Sequence, residues 1–171
     1  MLCFSPVGNL TNRMLPEGYM VKEALTPFHI AVQVRDIAEA RRFYGAILGC
    51  SEGRSSTQWV DFNLYGHQFV CHLNAQLGSD GKLASHFNAV DGQGVPVPHC
   101  GVVLRPGEWA ELAERVRRHG VDFVIEPYTR FKGQTGEQST MFFLDPTGNA
   151  LEFKAFQNIE TQLFAADPPH G

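Results

Sequence analysis

The pattern of apolar and polar residues occurs twice along the chain. In each copy a short run rich in Val, Ile and Leu precedes a segment whose apolar residues recur every three or four positions. Such an order is typical of a β-strand followed by an amphipathic helix. The first copy is FHIAVQV (28–34) with DIAEARRFYGAILG (36–49), and the second is HCGVVL (99–104) with GEWAELAERVRRHG (107–120). A glycine ends each helical segment, as is common at helix C-termini.

Extended segments follow each predicted helix. They are QWVDFNL (58–64) and HQFVCHL (67–73) in copy one, and VDFVIEP (121–127), TMFFL (140–144) and NALEFKAF (149–156) in copy two. Each copy therefore reads β-α-β-β-β. One such unit cannot bury its apolar sheet face alone. We predict an α+β domain in which two tandem βαβββ modules form one curved, barrel-like mixed sheet with helices outside.

The predicted boundaries follow the repeat. They give an N-terminal extension (1–23), a domain (24–157) with module one at 26–74, a link at 75–97 and module two at 98–157, and a C-terminal tail (158–171). The link carries several Gly and Pro residues and little periodicity, which predicts a loop.

Composition narrows the class of protein. The chain has 171 residues, 43% of them hydrophobic and 19% charged, with a formal net charge of -4. These values are typical of one soluble domain and give no reason to expect nucleic acid or a membrane as partner. The four cysteines form no CxxC pair, which favours a reducing, cytoplasmic location.

Candidate chemistry comes from three residues of the repeat. His29 and His99 open equivalent strands, and Glu152 is a carboxylate within an otherwise apolar strand. A buried carboxylate is costly unless a cation answers it. Two imidazoles and one carboxylate leave three positions open on an octahedral ion such as Fe(II), and Zn(II), Mn(II) or Ni(II) could occupy the same ligands.

These segments resemble a known superfamily. FHIAVQVRDIAEARRFYGAILGC, PHCGVVL and FFLDPTGNALEFKAF are similar to the vicinal oxygen chelate proteins over roughly residues 26–157. That group includes glyoxalase I, extradiol ring-cleaving dioxygenases, fosfomycin-resistance transferases and bleomycin-resistance proteins. The resemblance implies His29, His99 and Glu152 as metal ligands and a small-molecule substrate. It also implies a site formed within one chain or across a homodimer.

One alternative within the resemblance is a four-ligand site. Glyoxalase I carries a carboxylate in the last strand of its first module. Aligning the turn glycines Gly66 and Gly148 puts Val70 at that place, whereas a slip of two residues would put His72 there. A fourth ligand at His72 would favour a glyoxalase-like isomerase or lyase with Zn(II) or Ni(II).

The leading expectation is an extradiol dioxygenase-like enzyme that uses Fe(II), O2 and a vicinal diol or enediol. The resemblance implies His67 as its catalytic acid/base. The dioxygenases carry a tyrosine ten residues before the ligand glutamate, and here Phe142 occupies that position. The remaining substrate-binding candidates are Tyr128, Arg130 and Lys132, on a predicted loop at 128–138. A metal-free, drug-binding resistance protein is the alternative from another functional class.

Overall fold

The computed structural model describes residues 25–90, 92–134 and 136–164. The predicted N-terminal extension lies outside these ranges, and so does the tail from residue 165 onward. The elements in chain order are β1 (His29–Val34), α1 (Ile37–Ala40, continuing as a π-helix over Arg41–Ile47), β2 (Ser51–Ser55), β3 (Trp59–Leu64), β4 (His67–Leu73), a 3-10 turn (Ala75–Leu77), β5 (His86–Val90), β6 (Gln93–Val97), β7 (His99–Cys100), β8 (Val103–Leu104), α2 (Pro106–Arg118), β9 (Phe123–Arg130), β10 (Gln138–Leu144), β11 (Ala150–Ala155) and α3 (Ile159–Gln162).

The two modules share one sheet topology. Module one has the strand order β1-β4-β3-β2, and module two has β7-β11-β10-β9 with β8 also paired to β11. In both, the opening strand runs parallel to the last strand, β8 is also parallel to β11, and the other pairs are antiparallel. The α+β class and the tandem modules are thus confirmed. Within the described ranges, the modules form two separate hydrogen-bonded sheets and no closed barrel.

Helix α1 begins at an Asp36 cap, whose carboxylate accepts the Glu39 N–H at 2.6 Å. Its second half is wound as a π-helix, and the consecutive residues Phe43 and Tyr44 are both buried. Gly49 follows with a φ of +78°, a conformation that favours glycine. The predicted helix is therefore in the right place, although only its first turn is α-helical.

Aromatic packing joins the modules into one core. Phe43 of α1 lies 6.3 Å, between ring centroids, from Phe143 of β10. Phe143 stacks on Phe153 of β11 at 5.7 Å, and Tyr65 meets Phe153 edge-on at 6.0 Å. The hydroxyl of Tyr44 donates to the Asp145 carboxylate at 2.8 Å. Module one is thereby fixed to the turn that precedes β11.

The link differs from the predicted loop. Its residues 86–90 and 93–97 form the antiparallel strands β5 and β6, in which Val90 pairs with Gln93. The prediction of a loop was wrong there, and the Asp91-Gly92 dipeptide between two short apolar runs was the overlooked sequence signal for a hairpin. The predicted loop at 128–138 is also shorter, because β9 continues through Arg130 and β10 begins at Gln138.

Candidate metal centre

Glu152 and His99 form the centre of the candidate site. Glu152 is 8% exposed on β11, and its Oε2 lies 3.1 Å from Nε2 of His99. The other oxygen, Oε1, accepts the Thr140 hydroxyl at 2.8 Å and lies 3.4 Å from Nζ of Lys154. A nearly buried carboxylate is thus surrounded by polar partners from three strands, which offsets part of its desolvation cost.

The proton of His99 can be assigned from its second contact. Nδ1 lies 2.7 Å from the carbonyl oxygen of Pro96, which can only accept, so Nδ1 carries the proton. In a neutral ring Nε2 then presents a lone pair toward Glu152, which as a carboxylate is also an acceptor. Two acceptors at 3.1 Å need a bridge, either a proton between Nε2 and Oε2 or a metal ion. This donor set fits a divalent metal.

Phe142 forms an apolar wall of this pair. Its ring meets the His99 ring edge-on at 5.2 Å, it is 3% exposed, and it lies directly opposite Glu152 in the β10–β11 ladder. A phenylalanine offers no hydroxyl to a substrate. Phe142 therefore contributes shape and water exclusion where the dioxygenase resemblance implies a phenol.

His29 occupies the equivalent strand of module one but has different partners. Its Nδ1 lies 2.8 Å from Oε1 of Gln68. Throughout residues 25–90, 92–134 and 136–164, the structure contains no group of three or more His, Cys, Asp or Glu side chains placed to hold a metal ion. The structure thus brings together two of the three predicted ligands, His99 and Glu152.

Strand register shows where a fourth ligand would lie. His29 pairs with Gln68 and Ala31 with Val70, while His99 pairs with Ala150. Residue Val70 therefore corresponds to Glu152, two positions beyond the histidine's partner. His72 pairs with Gln33, a further two residues along the strand, and is exposed. This register favours three protein ligands.

His67 is not brought to the site. It shares a face of β4 with the buried Phe69 and Cys71, whereas Gln68 and Val70 lie on the other face. Its Nδ1 accepts the backbone N–H of Phe28 at 2.9 Å, which occupies the nitrogen that a general base would need. The catalytic role of His67 stays a prediction without geometric support.

The remaining predicted residues separate into two groups. Tyr128 pairs with Thr140 and Arg130 with Gln138, which places both on the sheet face that carries Glu152. Lys132 lies in the exposed connection after β9.

Sequence reasoning missed several contacts of the candidate ligands: Thr140, Lys154, the Pro96 carbonyl and Gln68. The alternation of β10 and β11 is a signal for Thr140 and Lys154, since both share the Glu152 face.

A cavity of about 400 Å³ adjoins His99 between the modules. Its walls include Ala31 of β1, residues 83–85 of the link, and Cys100 and Ala150 of module two. This volume is in the range of small-molecule sites. Burial raises the pKa of the Cys100 thiol to about 11. Cys100 is therefore a neutral thiol near pH 7 rather than a nucleophile.

Comparisons with known proteins agree with this architecture. Residues 26–153 match the Glyoxalase/Bleomycin resistance protein/Dioxygenase superfamily, and the chain belongs to that superfamily. No curated protein sequence matches the chain. No helix of the described residues is long and apolar enough to cross a membrane.

Solved structures share the fold. A glyoxalase/bleomycin resistance protein/dioxygenase from Alicyclobacillus acidocaldarius is 29% identical, with a TM-score of 0.62, covering 78% of this chain and 93% of its own. A fosfomycin resistance protein from Listeria monocytogenes is 20% identical (TM-score 0.57; 77% and 93% covered). A lactoylglutathione lyase from Agrobacterium tumefaciens is 15% identical (TM-score 0.54; 86% and 100% covered). The last two show the fold alone.

Proposed function

We propose that this protein is a mononuclear metal-dependent enzyme that acts on a small molecule with two adjacent oxygens, a vicinal diol or enediol. The observation that carries the proposal is the pair of facing acceptors, Nε2 of His99 and Oε2 of Glu152, at 3.1 Å. His29 is the proposed third ligand, because it occupies the position in module one that His99 occupies in module two.

The number of ligands favours a dioxygenase over an isomerase. With Val70 at the position equivalent to Glu152, the chain offers three protein ligands, and a metal held by them would have room for two substrate oxygens and O2. We propose Fe(II) as the native metal, while Zn(II), Mn(II) and Ni(II) suit the same ligands. A bound metal would supply Lewis-acid polarisation and a template for the substrate oxygens.

The chain's own residues would prepare the site for this chemistry. The Thr140 hydroxyl and the Lys154 ammonium hold Oε1 of Glu152 and leave Oε2 directed at His99. Phe142 excludes water from one side of the pair. Arg130 lies on the same sheet face and offers a positive charge to an anionic group, such as the carboxylate of a catecholic acid. Tyr128, next to Thr140, would contact the substrate ring.

A homodimer would complete the ligand set. Within the described part of one chain, His29 is held by Gln68 and is not grouped with His99 and Glu152. Closed two-fold dimers are the commonest soluble oligomers, and they bring the same surface of two copies together. We therefore assign the third ligand to His29 of a second copy.

The test has two stages. Protein purified without chelator is analysed for metal, and anaerobically Fe(II)-loaded protein is then assayed for O2 uptake with a broad panel of catechols. We expect near-stoichiometric metal and uptake with at least one catechol. A fully loaded protein without uptake would contradict the dioxygenase assignment. Absence of bound metal, with thermal stability unchanged by added metal, would instead favour a metal-free binding protein.

A further inference from the structure

The structure assigns a positioning role to Gln68 and Asp61. We propose that these two side chains form a relay that keeps the proton of His29 on Nδ1 and leaves the Nε2 lone pair available to a ligand. That His29 binds a metal rests on the proposed function. The tautomer of the His29 ring does not depend on the proposed function, since it is a property of the metal-free chain.

The relay consists of two hydrogen bonds. Nε2 of Gln68 donates to Oδ2 of Asp61 at 3.2 Å, and Oε1 of Gln68 lies 2.8 Å from Nδ1 of His29. Asp61 on β3 is 8% exposed, and its side chain reaches Gln68 on the neighbouring strand β4. His29 in turn lies beside Gln68 in the parallel β1–β4 pair.

The direction of the relay follows from the chemistry of its end. An ionised carboxylate can only accept hydrogen bonds, so the amide of Gln68 must turn its NH2 group toward Asp61. Its carbonyl oxygen then faces His29 and can only accept. Nδ1 of His29 must therefore donate, and Nε2 is left as the unprotonated nitrogen. Asp61 thus sets the tautomer of a histidine that it does not touch.

Module two reaches the same result by a different route. Ala150 occupies the position equivalent to Gln68 and has no side chain that could hold an imidazole. There the Pro96 carbonyl accepts from Nδ1 of His99 instead. In both repeat histidines Nδ1 therefore carries a proton, and Nε2 is the nitrogen that could bind a metal. Partners that hold the second ring nitrogen are the usual means by which proteins orient a metal-binding histidine.

A surface contact adds little to this arrangement. Nε of Arg54 lies 3.9 Å from Oδ2 of Asp61, but the Arg54 side chain is 83% exposed. An ion pair at this distance whose cation lies in solvent contributes little to stability. We therefore attribute the direction of the relay's hydrogen bonds to Asp61 itself, and Asp61 is the residue to change.

The experiment reads the tautomer directly. Long-range 15N–1H correlation spectra of metal-free protein are recorded at a pH where the imidazoles are neutral, for the wild type, Asp61→Asn and Gln68→Met. The wild type is expected to show His29 protonated on Nδ1. In Asp61→Asn an amide of the same shape can donate, so Gln68 can turn over and the His29 proton shifts toward Nε2. Gln68→Met removes the oxygen that accepts from Nδ1 of His29, and so removes the preference for the Nδ1 tautomer in a second, independent way.

Two controls accompany these variants. The His99 resonances should be unchanged in both, because the Pro96 carbonyl holds that ring. Gln33→Met makes the same substitution on strand β1, where the Gln33 amide pairs with Asn74 rather than with the relay. It should leave the His29 spectrum as in the wild type. If His29 stays protonated on Nδ1 in both Asp61→Asn and Gln68→Met, the relay is disproved.

Metal affinity gives a separate readout. Calorimetric titration with Zn(II) should show affinity about tenfold weaker in Asp61→Asn than in the wild type, the usual effect of losing an outer partner of a ligand histidine. Unchanged affinity despite a shifted tautomer would overturn the positioning role. A wild-type protein that binds no Zn(II) would contradict the proposed metal function, while the spectra would still decide whether the relay exists.

Discussion

At the scale of single residues, the charge of Glu152 is the property that the proposed metal site depends on most. Glu152→Gln keeps the volume and the contact with Thr140 but removes the charge that faces His99. We expect Zn(II) affinity to fall by more than about 100-fold, since losing a ligand costs more than losing an outer partner. Calorimetry measures this. The matched control is Glu126→Gln, an exposed carboxylate on β9, which should behave as the wild type.

His72 gives the opposite expectation. Because register places it beside Gln33 and places Val70 at the position of Glu152, His72→Ala should leave Zn(II) affinity within about twofold of the wild type. The same titration measures it. A tenfold or larger loss would show a fourth ligand and would move the protein toward the glyoxalase-like alternative.

The sequence carried the positions of these residues but not their contacts. The repeat placed His29 and His99 at equivalent strand starts, and strand register agrees with that equivalence. The Gln68 contact of His29 and the Pro96 contact of His99 depend on rotamers and on the path of the link, which apolar periodicity does not specify. Alternation along HQFVCHL could have predicted that the His67 side chain lies on the sheet face opposite to that of Gln68 and Val70.

At the scale of elements, a buried hydrogen bond joins α1 to the turn before β11. Tyr44 is fully buried, and its hydroxyl donates to Asp145 at 2.8 Å. Tyr44→Phe leaves that carboxylate with one donor fewer. We expect the free energy of unfolding at pH 7, measured by urea denaturation, to fall by about 1–3 kcal/mol.

The pH dependence of that loss has a definite sign. Burial raises the pKa of the Asp145 carboxyl, while hydrogen bonds from Asn149 and Tyr44 lower it. The Tyr44 bond favours the ionised form, so its contribution is full above the pKa of Asp145 and is lost as pH falls through that pKa. The difference between wild type and Tyr44→Phe should therefore shrink on acidification. A constant difference would contradict this account, and Tyr65→Phe serves as a control.

Helices and strands were predicted best where their apolar periodicity was clear. Helix α2 and strands β10 and β11 carry clear periodicity and lie where the sequence placed them. The π-helical half of α1 was not foreseen, because periods of 3.6 and about 4.4 residues cannot be separated over seven positions. The β5–β6 hairpin was missed because Gly and Pro residues were taken as loop signals without testing the pairing across Asp91-Gly92.

At the scale of the whole molecule, the two modules are equivalent in topology and unequal in chemistry. Module two holds His99, Glu152 and their partners, whereas the matching positions of module one are His29 and Val70. One chain thus carries one carboxylate for two candidate histidines. A metal site with three protein ligands then needs His29 of a module one to lie beside His99 and Glu152 of a module two. In the proposed dimer, each copy supplies His29 to the site of the other copy.

Subunit mixing tests that arrangement. His29→Ala and Glu152→Gln should each abolish metal binding alone. In a dimer that shares its sites, a mixed pair has one site with both changes and one site with neither. Random re-association of equal amounts makes about half of the dimers mixed, so about a quarter of all sites should be restored. Metal content after refolding the mixture measures this, with the double variant mixed with wild type as control for exchange. A site built within one chain would give no recovery, because every chain in the mixture would lack one ligand.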